Sequence, residues 1–216
     1  MDGKLEREAI QELRRSYGDV GLADIAADPF ELFHAWLKDG IENPLVVEAN
    51  AMVLSTVDGS QPVSRTVLLK DATDSFTFFT NYNSRKALEI SKNEQVSLLF
   101  PWYAMERQVI VLGVATKVSA EESDAYFQTR PWGSQIGAWS SEQSQDLGSR
   151  EELEIRFKQF AQKYPEGSKV PTPSHWGGFK VVPSSIEFWQ GRYSRLHDRV
   201  RYTAQSTGWN VKRVNP

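Results

Sequence analysis

From Ala51 to Lys117 the chain is a succession of short runs rich in β-branched and aromatic residues: AMVLSTV, PVSRTVLLK, SFTFFT, QVSLLFPW and MERQVIVLGVATKV. Turn signals such as Asp58-Gly59 separate them. Strands at this short spacing predict an antiparallel sheet closed into a barrel. WGGFKVV, SSIEFWQ, RLHDRVRYT and GWNVKRV add further strands towards the C-terminus. The expected fold class is mainly β with peripheral helices.

The helices have their own signatures. Leu5, Ile10, Leu13 and Tyr17 stand at helical spacing in residues 4–17, and Asp28-Pro29 opens a second apolar helix, so residues 1–45 are expected to be a helical N-terminal segment. Ser119 and Glu122 form a capping box for a helix that Pro131 stops after Arg130. Ser149 and Glu152 repeat that signature ahead of Leu153, Phe157 and Phe160, which share a face. No internal repeat or low-complexity linker divides the chain, so residues 1–216 are expected to form a single domain.

Charge and residue content exclude several functions. With 25 Lys and Arg against 28 Asp and Glu, the net charge of −3 offers no global attraction to nucleic acid or anionic membrane, so any anion site must be local. The absence of cysteine excludes disulfides, thiolate metal sites and a cysteine nucleophile, and fits a cytoplasmic location. The first ten residues are charged rather than apolar, and no run approaches the roughly 20 apolar residues of a membrane span. His34, His175 and His197 lack ligand spacing, so no metal site is expected. Without GxGxxG, GxxxxGK[ST] or GxSxG, any catalytic chemistry belongs to a cofactor of another kind.

Four constellations remain. In FFTNYNSRKALEI, Ser84 is an N-cap and Arg85 and Lys86 follow it. Cations there oppose the helix dipole unless an anion such as phosphate compensates them, and a solvated pair explains the pattern equally well. SRTVLLK carries Arg65 and Lys70 in an otherwise apolar strand, where each must reach solvent or an anionic partner; snorkelling at the strand ends is the simpler account. Tyr126 and Arg130 are four residues apart, with Ser134 just beyond Pro131, a donor set suited to a phosphate ester or to a plain Tyr–Arg stack. In IEFWQGRYSRLHDR, an extended backbone would alternate Arg195, His197 and Arg199 onto one face. So concentrated a positive face suits a ligand better than a core, with a salt-bridge ladder as the structural alternative.

The last segment, IEFWQ, a four-residue spacer and RLHDR, resembles the C-terminal signature of the pyridoxamine 5′-phosphate oxidases. RTVLLK, FFTNYNSRK, LLFPW, ERQV, YFQTRP, SQIGAW and WGGF resemble further family segments in order, so the resemblance runs from Arg14 onward. It implies an FMN-binding split β-barrel and a homodimer with each flavin held between subunits. The implied FMN contacts are Arg65, Thr66, Val67, Leu68, Leu69, Lys70, Phe79, Thr80, Arg85, Lys86, Gln108, Gln143, Ser144, Trp189 and Arg199. The implied substrate contacts are Lys70, Tyr126, Arg130, Ser134, Arg195 and His197, the last two catalytic, with Arg14 and Tyr17 in an N-terminal cover. The C-terminal segment 176–216 would carry contacts to both ligands. The implied reaction oxidises pyridoxamine or pyridoxine 5′-phosphate to pyridoxal 5′-phosphate with dioxygen. Another split-barrel flavoprotein would have no reason to keep RLHDR, and a non-catalytic carrier would not turn over. The spacer Arg192-Tyr193-Ser194 and Phe79, where some relatives carry Tyr, are the departures.

Overall fold

Asp28 starts the main N-terminal helix as its sequence suggests: its carboxylate accepts a 3.0 Å bond from the Phe30 amide, Pro29 fills the first helical position, and α1 runs over Pro29–Glu42. The computed structural model describes residues 10–11, 13, 16–23 and 25–216. Most of the helix expected at 4–17, and Arg14, lie outside them. Ile10 and Gln11 are helical, but Leu13 and residues 16–23 are not, so the helical segment expected over 1–45 is interrupted. The cause is tertiary. The Gly18 amide donates to Glu106 Oε2 at 2.9 Å, Gly18 O accepts from the Tyr193 amide at 3.0 Å, and the Leu22 amide donates to Asp198 Oδ2 at 2.9 Å. The segment is laid as a strap over the C-terminal region.

The strands are β1 (Ala51–Asp58), β2 (Gln61–Leu68), β3 (Phe76–Asn81), β4 (Gln95–Trp102), β5 (Arg107–Lys117), β6 (Trp176–Gln190), β7 (Asp198–Ala204) and β8 (Trp209–Arg213). All ladders are antiparallel, in the order β2-β1-β4-β5-β6-β7-β8, with β3 on β6. Just past β2, the Lys70 amide donates to Thr77 O at 2.8 Å and Asp71 bridges Thr77, so β3 joins the end of β2 to β6 and closes the barrel. The expected strands WGGFKVV and SSIEFWQ are one fifteen-residue strand. Its register shifts opposite Leu112/Gly113, beside Pro183, and an irregularity there accommodates a residue with no amide to donate.

The helices after α1 are α2 (Arg85–Lys92), α3 (Ala120–Thr129), α4 (Trp132–Ser140) and α5 (Arg150–Lys163). The capping box at Ser119 is complete; at Ser149 only the hydroxyl half forms, and Glu152 bonds the Gly148 amide instead. Strand alternation turns Met52, Leu54, Leu98, Phe100, Val109 and Val111 into the barrel, where Phe33 of α1 meets Phe76 and Phe100 edge-on at 5.0 and 4.9 Å. A second apolar cluster of Phe127, Ile136, Val170 and Trp176 gathers α3, α4 and α5 against the start of β6. A cavity opens beside it.

Candidate active site

This cavity, of about 630 Å³, takes residues from the end of β2, from β3, from the start of α2, and from α3 and α4. Thr66, Val67, Leu68 and Lys70 line one side; Phe79, Thr80, Lys86 and Gln143 line another; Tyr126, Arg130 and Ser134 complete it. Among the described residues three cations line it and no carboxylate does. In a chain of net charge −3 this is a local concentration of positive charge.

Lys86 is buried, and its ammonium donates to Thr80 Oγ1 at 3.2 Å, Ser84 Oγ at 3.3 Å and Gln143 Oε1 at 3.2 Å. All three acceptors are neutral. Burial first, then the nearby charge of Arg65, lower its pKa to about 8, with Glu89 opposing them. Ser84 stands at the N-cap of α2 as expected, but its hydroxyl serves Lys86 rather than the helix amides. Arg130 has a buried Nη1 with no hydrogen-bond partner among the described residues, and burial pushes its pKa down while Tyr126 pushes it up. Unpaired buried donors at a cavity wall are a fit for an anionic ligand such as a phosphate ester.

Arg65 and Arg85 lie next to this cavity, not on it. Both bind the buried carboxylate of Glu89, at 2.7 Å from Arg65 Nη2 and 2.8 Å from Arg85 Nε, and Thr56 bridges Glu89 and Arg65. Burial alone would raise the pKa of Glu89, but the bonds from Thr56, Arg65 and Arg85 and the charge of Arg65 outweigh it and the net shift is downward. Arg65 thus meets an anionic partner, where end-of-strand snorkelling was the simpler expectation. Lys70 lies past the end of β2 and is exposed, its ammonium 6.0 Å from the Tyr126 ring. Leu69 turns into the core, and Ser144, at φ 72°, sits in an exposed loop.

The remaining expected residues form a second group that does not line the cavity. Gln108, Trp189 and Arg199 are register partners across β5, β6 and β7, hence a row on one face. Arg199 and Arg201 both bind Glu187, so the salt-bridge ladder set against the ligand-binding account is present at Arg199. Arg195 and His197 do not alternate on a strand. Tyr193–Arg195 is a short 3₁₀ turn with Ser194 at φ 56° and Arg195 at φ 63°, and β7 begins only at Asp198. Positive φ at two adjacent residues breaks the extended backbone on which the alternation depended. Arg195 is exposed and makes no ion pair among the described residues. His197 packs on Trp189 at 4.7 Å and meets Tyr17 at 5.6 Å, so the strap brings Tyr17 to the group it was expected to join. Arg14 lies outside the described residues. Among these residues no cluster of His, Asp or Glu could hold a metal, and no helix is long and apolar enough to cross a membrane.

Sequence reasoning missed Glu89 and Glu187, the carboxylates that hold the site arginines. Glu89 was detectable as the i+4 partner of Arg85, while Glu187 needed the β6–β7 register. It also missed Trp176 and the helix α4, whose apolar stretch follows Pro131 directly.

The family model described as pyridoxamine 5′-phosphate oxidase matches residues 41–164, and that described as pyridoxine 5′-phosphate oxidase C-terminal dimerisation region matches residues 176–216. The chain is 48% identical to the pyridoxine/pyridoxamine 5′-phosphate oxidase of Streptomyces avermitilis, over 98% of this chain and 99% of that one. It is 49% identical to the protein of the same name from Prochlorococcus marinus, over 96% of each. Among solved structures it is similar to PhzG from Burkholderia lata in complex with tetrahydrophenazine-1-carboxylic acid, with a TM-score of 0.85, 25% identity, and 92% and 99% of the two chains covered. A pyridoxamine 5′-phosphate oxidase-related, FMN binding protein from Nostoc punctiforme shares the fold, with a TM-score of 0.70 at 16% identity, over 86% of this chain and 96% of that one. The chain belongs to the pyridoxamine 5′-phosphate oxidase family.

Proposed function

We propose that the chain is an FMN-dependent oxidase that converts pyridoxamine 5′-phosphate or pyridoxine 5′-phosphate to pyridoxal 5′-phosphate, acting as a homodimer in the cytoplasm. The observation that carries this is the cavity lined by Lys70, Lys86 and Arg130 with no carboxylate, in a protein that is acidic overall. Bound FMN would supply the redox chemistry, a two-electron oxidation of the carbon that bears the amine or alcohol with dioxygen as final acceptor, giving hydrogen peroxide and, from the amine with water as co-reactant, ammonia.

The chain's own residues bind and orient. Arg65, Arg85, Lys86, Thr80, Gln143 and Ser144 would hold the flavin phosphate and its chain, with β2 residues 66–69 and Phe79 along it. Gln108, Trp189 and Arg199, neighbours across three strands, would contact the flavin ring. Lys70, Tyr126, Arg130 and Ser134 would clamp the substrate phosphate, remote binding energy that orients the reacting carbon. Arg195 and His197 would hold the pyridine ring, with Tyr17 closing from the strap and Arg14 assigned by resemblance alone.

The two groups lie apart within one chain, which supports a site completed by a second subunit. Residues 1–216 would act as one domain, because β6 pairs with β3, β5 and β7 and so ties segment 176–216 to the rest. A cytoplasmic location draws support from the lack of cysteine. The decisive experiment is the visible spectrum of the purified protein before and after anaerobic addition of pyridoxamine 5′-phosphate. A flavin band that bleaches, with peroxide formed on admitting air, is expected; a bound flavin that stays oxidised would indicate a carrier.

A further inference from the structure

Every arginine assigned above to the flavin has a buried carboxylate partner: Arg65 and Arg85 share Glu89, and Arg199 binds Glu187. Arg130 has none. Its guanidinium carbon lies 4.7 Å above the centroid of Trp176 and 5.6 Å from that of Phe127, and Nη1 is buried without a partner. An aromatic face holds a guanidinium in place without neutralising it, whereas a carboxylate would cancel much of the charge offered to an incoming anion.

The platform is itself built. Phe79 stacks on Tyr126 at 4.1 Å and on Trp176 at 5.4 Å, with planes inclined by 25° and 14°, so three rings lie nearly parallel along the cavity wall. The glycines after Trp176 make room for them. Gly178 is the register partner of Phe79, and a Cβ there would stand 2.8 Å from both Phe79 Cε1 and Val118 Cγ2. At Gly177 a Cβ would stand 2.2 Å from the Tyr82 hydroxyl. The Trp-Gly-Gly sequence at the start of β6 therefore lets the ring stack lie flat on the strand, with the indole beneath the guanidinium.

We propose that Trp176 is a positioning residue for substrate recognition: its indole fixes the Arg130 guanidinium, fully charged, at the place where a phosphate monoester is bound. This rests on the assignment of Arg130 to the substrate phosphate. Trp176 acts on the substrate through Arg130, so it governs affinity for the phosphorylated substrate more than kcat; because it also stacks on Phe79, the FMN content of each variant is measured alongside.

The test is steady-state kinetics of the FMN-loaded protein with pyridoxine 5′-phosphate, for Trp176→Leu, Trp176→Phe, Arg130→Leu and the double variants, with inorganic phosphate as competing anion. Trp176→Leu should raise KM and the phosphate inhibition constant about tenfold, within the range of a desolvated cation–π contact, with kcat changed less than about twofold and FMN retained. Trp176→Phe, which keeps a smaller aromatic face and covers the case of a Leu variant that does not fold, should raise KM about threefold. In the Arg130→Leu background neither substitution should add a further loss. A normal KM for Arg130→Leu would remove the phosphate-clamp assignment itself. A raised KM for Arg130→Leu, with the Trp176 effect added in full on top of it or absent from the single variants, would overturn the platform and leave the clamp standing.

Discussion

The backbone amide of Arg192 donates a 3.0 Å hydrogen bond to Nδ1 of His197. An amide can only donate, so Nδ1 carries its lone pair and the ring proton sits on Nε2. Burial, and secondarily the charge of Arg195, lower the pKa of His197 from its ordinary 6.5. His197 is thus a neutral imidazole at pH 7 that presents an Nε2–H donor. A base whose folded pKa is depressed binds fewer protons than the unfolded chain below pH 6.5, so its contribution to stability is present above that pH and lost as pH falls through the folded value.

The expected nitrogen-15 spectrum has His197 as the Nε2–H tautomer at pH 7, with a titration midpoint below 6.5. The acid limb of kcat/KM should follow that midpoint. His197→Asn should flatten it and mainly raise KM. A midpoint above 6.5, or a protonated Nδ1 at neutral pH, would mean that the Arg192 bond does not form in solution.

Lys86 titrates in the opposite region. Its pKa of about 8 instead of 10.5 means that the unfolded chain binds more protons between those values, so stability rises with pH across that window. At neutral pH the buried ammonium costs on the order of 3 kcal/mol. Lys86→Met should therefore raise the Tm of FMN-free protein at pH 7. The same substitution should weaken FMN, because the phosphate loses a cation. In the unaltered protein the FMN Kd should rise by up to about tenfold per pH unit above about 8, as binding must then restore the proton. A Kd equally flat from pH 7 to 10 in both proteins would take Lys86 out of the phosphate site.

Local pattern carried most of the fold. Ser119-Glu122 and Asp28-Pro29 name their helices because capping is decided within four residues, and the strands follow from alternation along each segment. What was not legible depended on contacts distant in sequence. Tyr17 is helical by spacing, but Gly18 beside it is bonded to Glu106 and Tyr193, distant in sequence, and the segment is not helical. Arg195 and His197 share a face by parity, yet Ser194 and Arg195 turn through positive φ. The cation chemistry of the cavity was legible from Lys70, Lys86 and Arg130. The carboxylates restraining Arg65, Arg85 and Arg199 were not, because pairing across strands has no signature in one strand's sequence.

Arg195 is exposed, lacks an ion pair among the described residues and already occupies a strained backbone position, so its side chain contributes little to the fold. Arg195→Leu should leave Tm and flavin content unchanged while lowering kcat/KM for pyridoxine 5′-phosphate at least ~100-fold, about 2.7 kcal/mol of transition-state stabilisation. Near-normal efficiency, or unfolding that precedes any loss of activity, would return the 193–195 turn to a structural role.

The separation of the two residue groups yields a sharper expectation. Arg130 and Lys86 line the cavity, whereas Arg195, His197 and Trp189 belong to the cluster at the end of β6, and no residue of that cluster lines the cavity. If each complete site takes the cavity of one subunit and the cluster of its two-fold partner, a heterodimer of one Arg130→Leu chain and one Arg195→Leu chain contains one site with both defects and one with neither. Denaturing and refolding the two impaired variants together with FMN at equal concentration gives about half heterodimers, so activity at substrate well below the variants' KM should return to about a quarter of the unaltered protein's. The same variants refolded separately and then mixed should stay impaired until subunits exchange, and recovery should follow that exchange. Were cavity and cluster to serve the same active site within one chain, both sites of the heterodimer would carry a lesion and co-refolding would recover nothing. Sedimentation of the co-refolded sample, with one variant carrying a mass tag, shows whether heterodimers formed, so a failure to assemble is told apart from a site that is not shared.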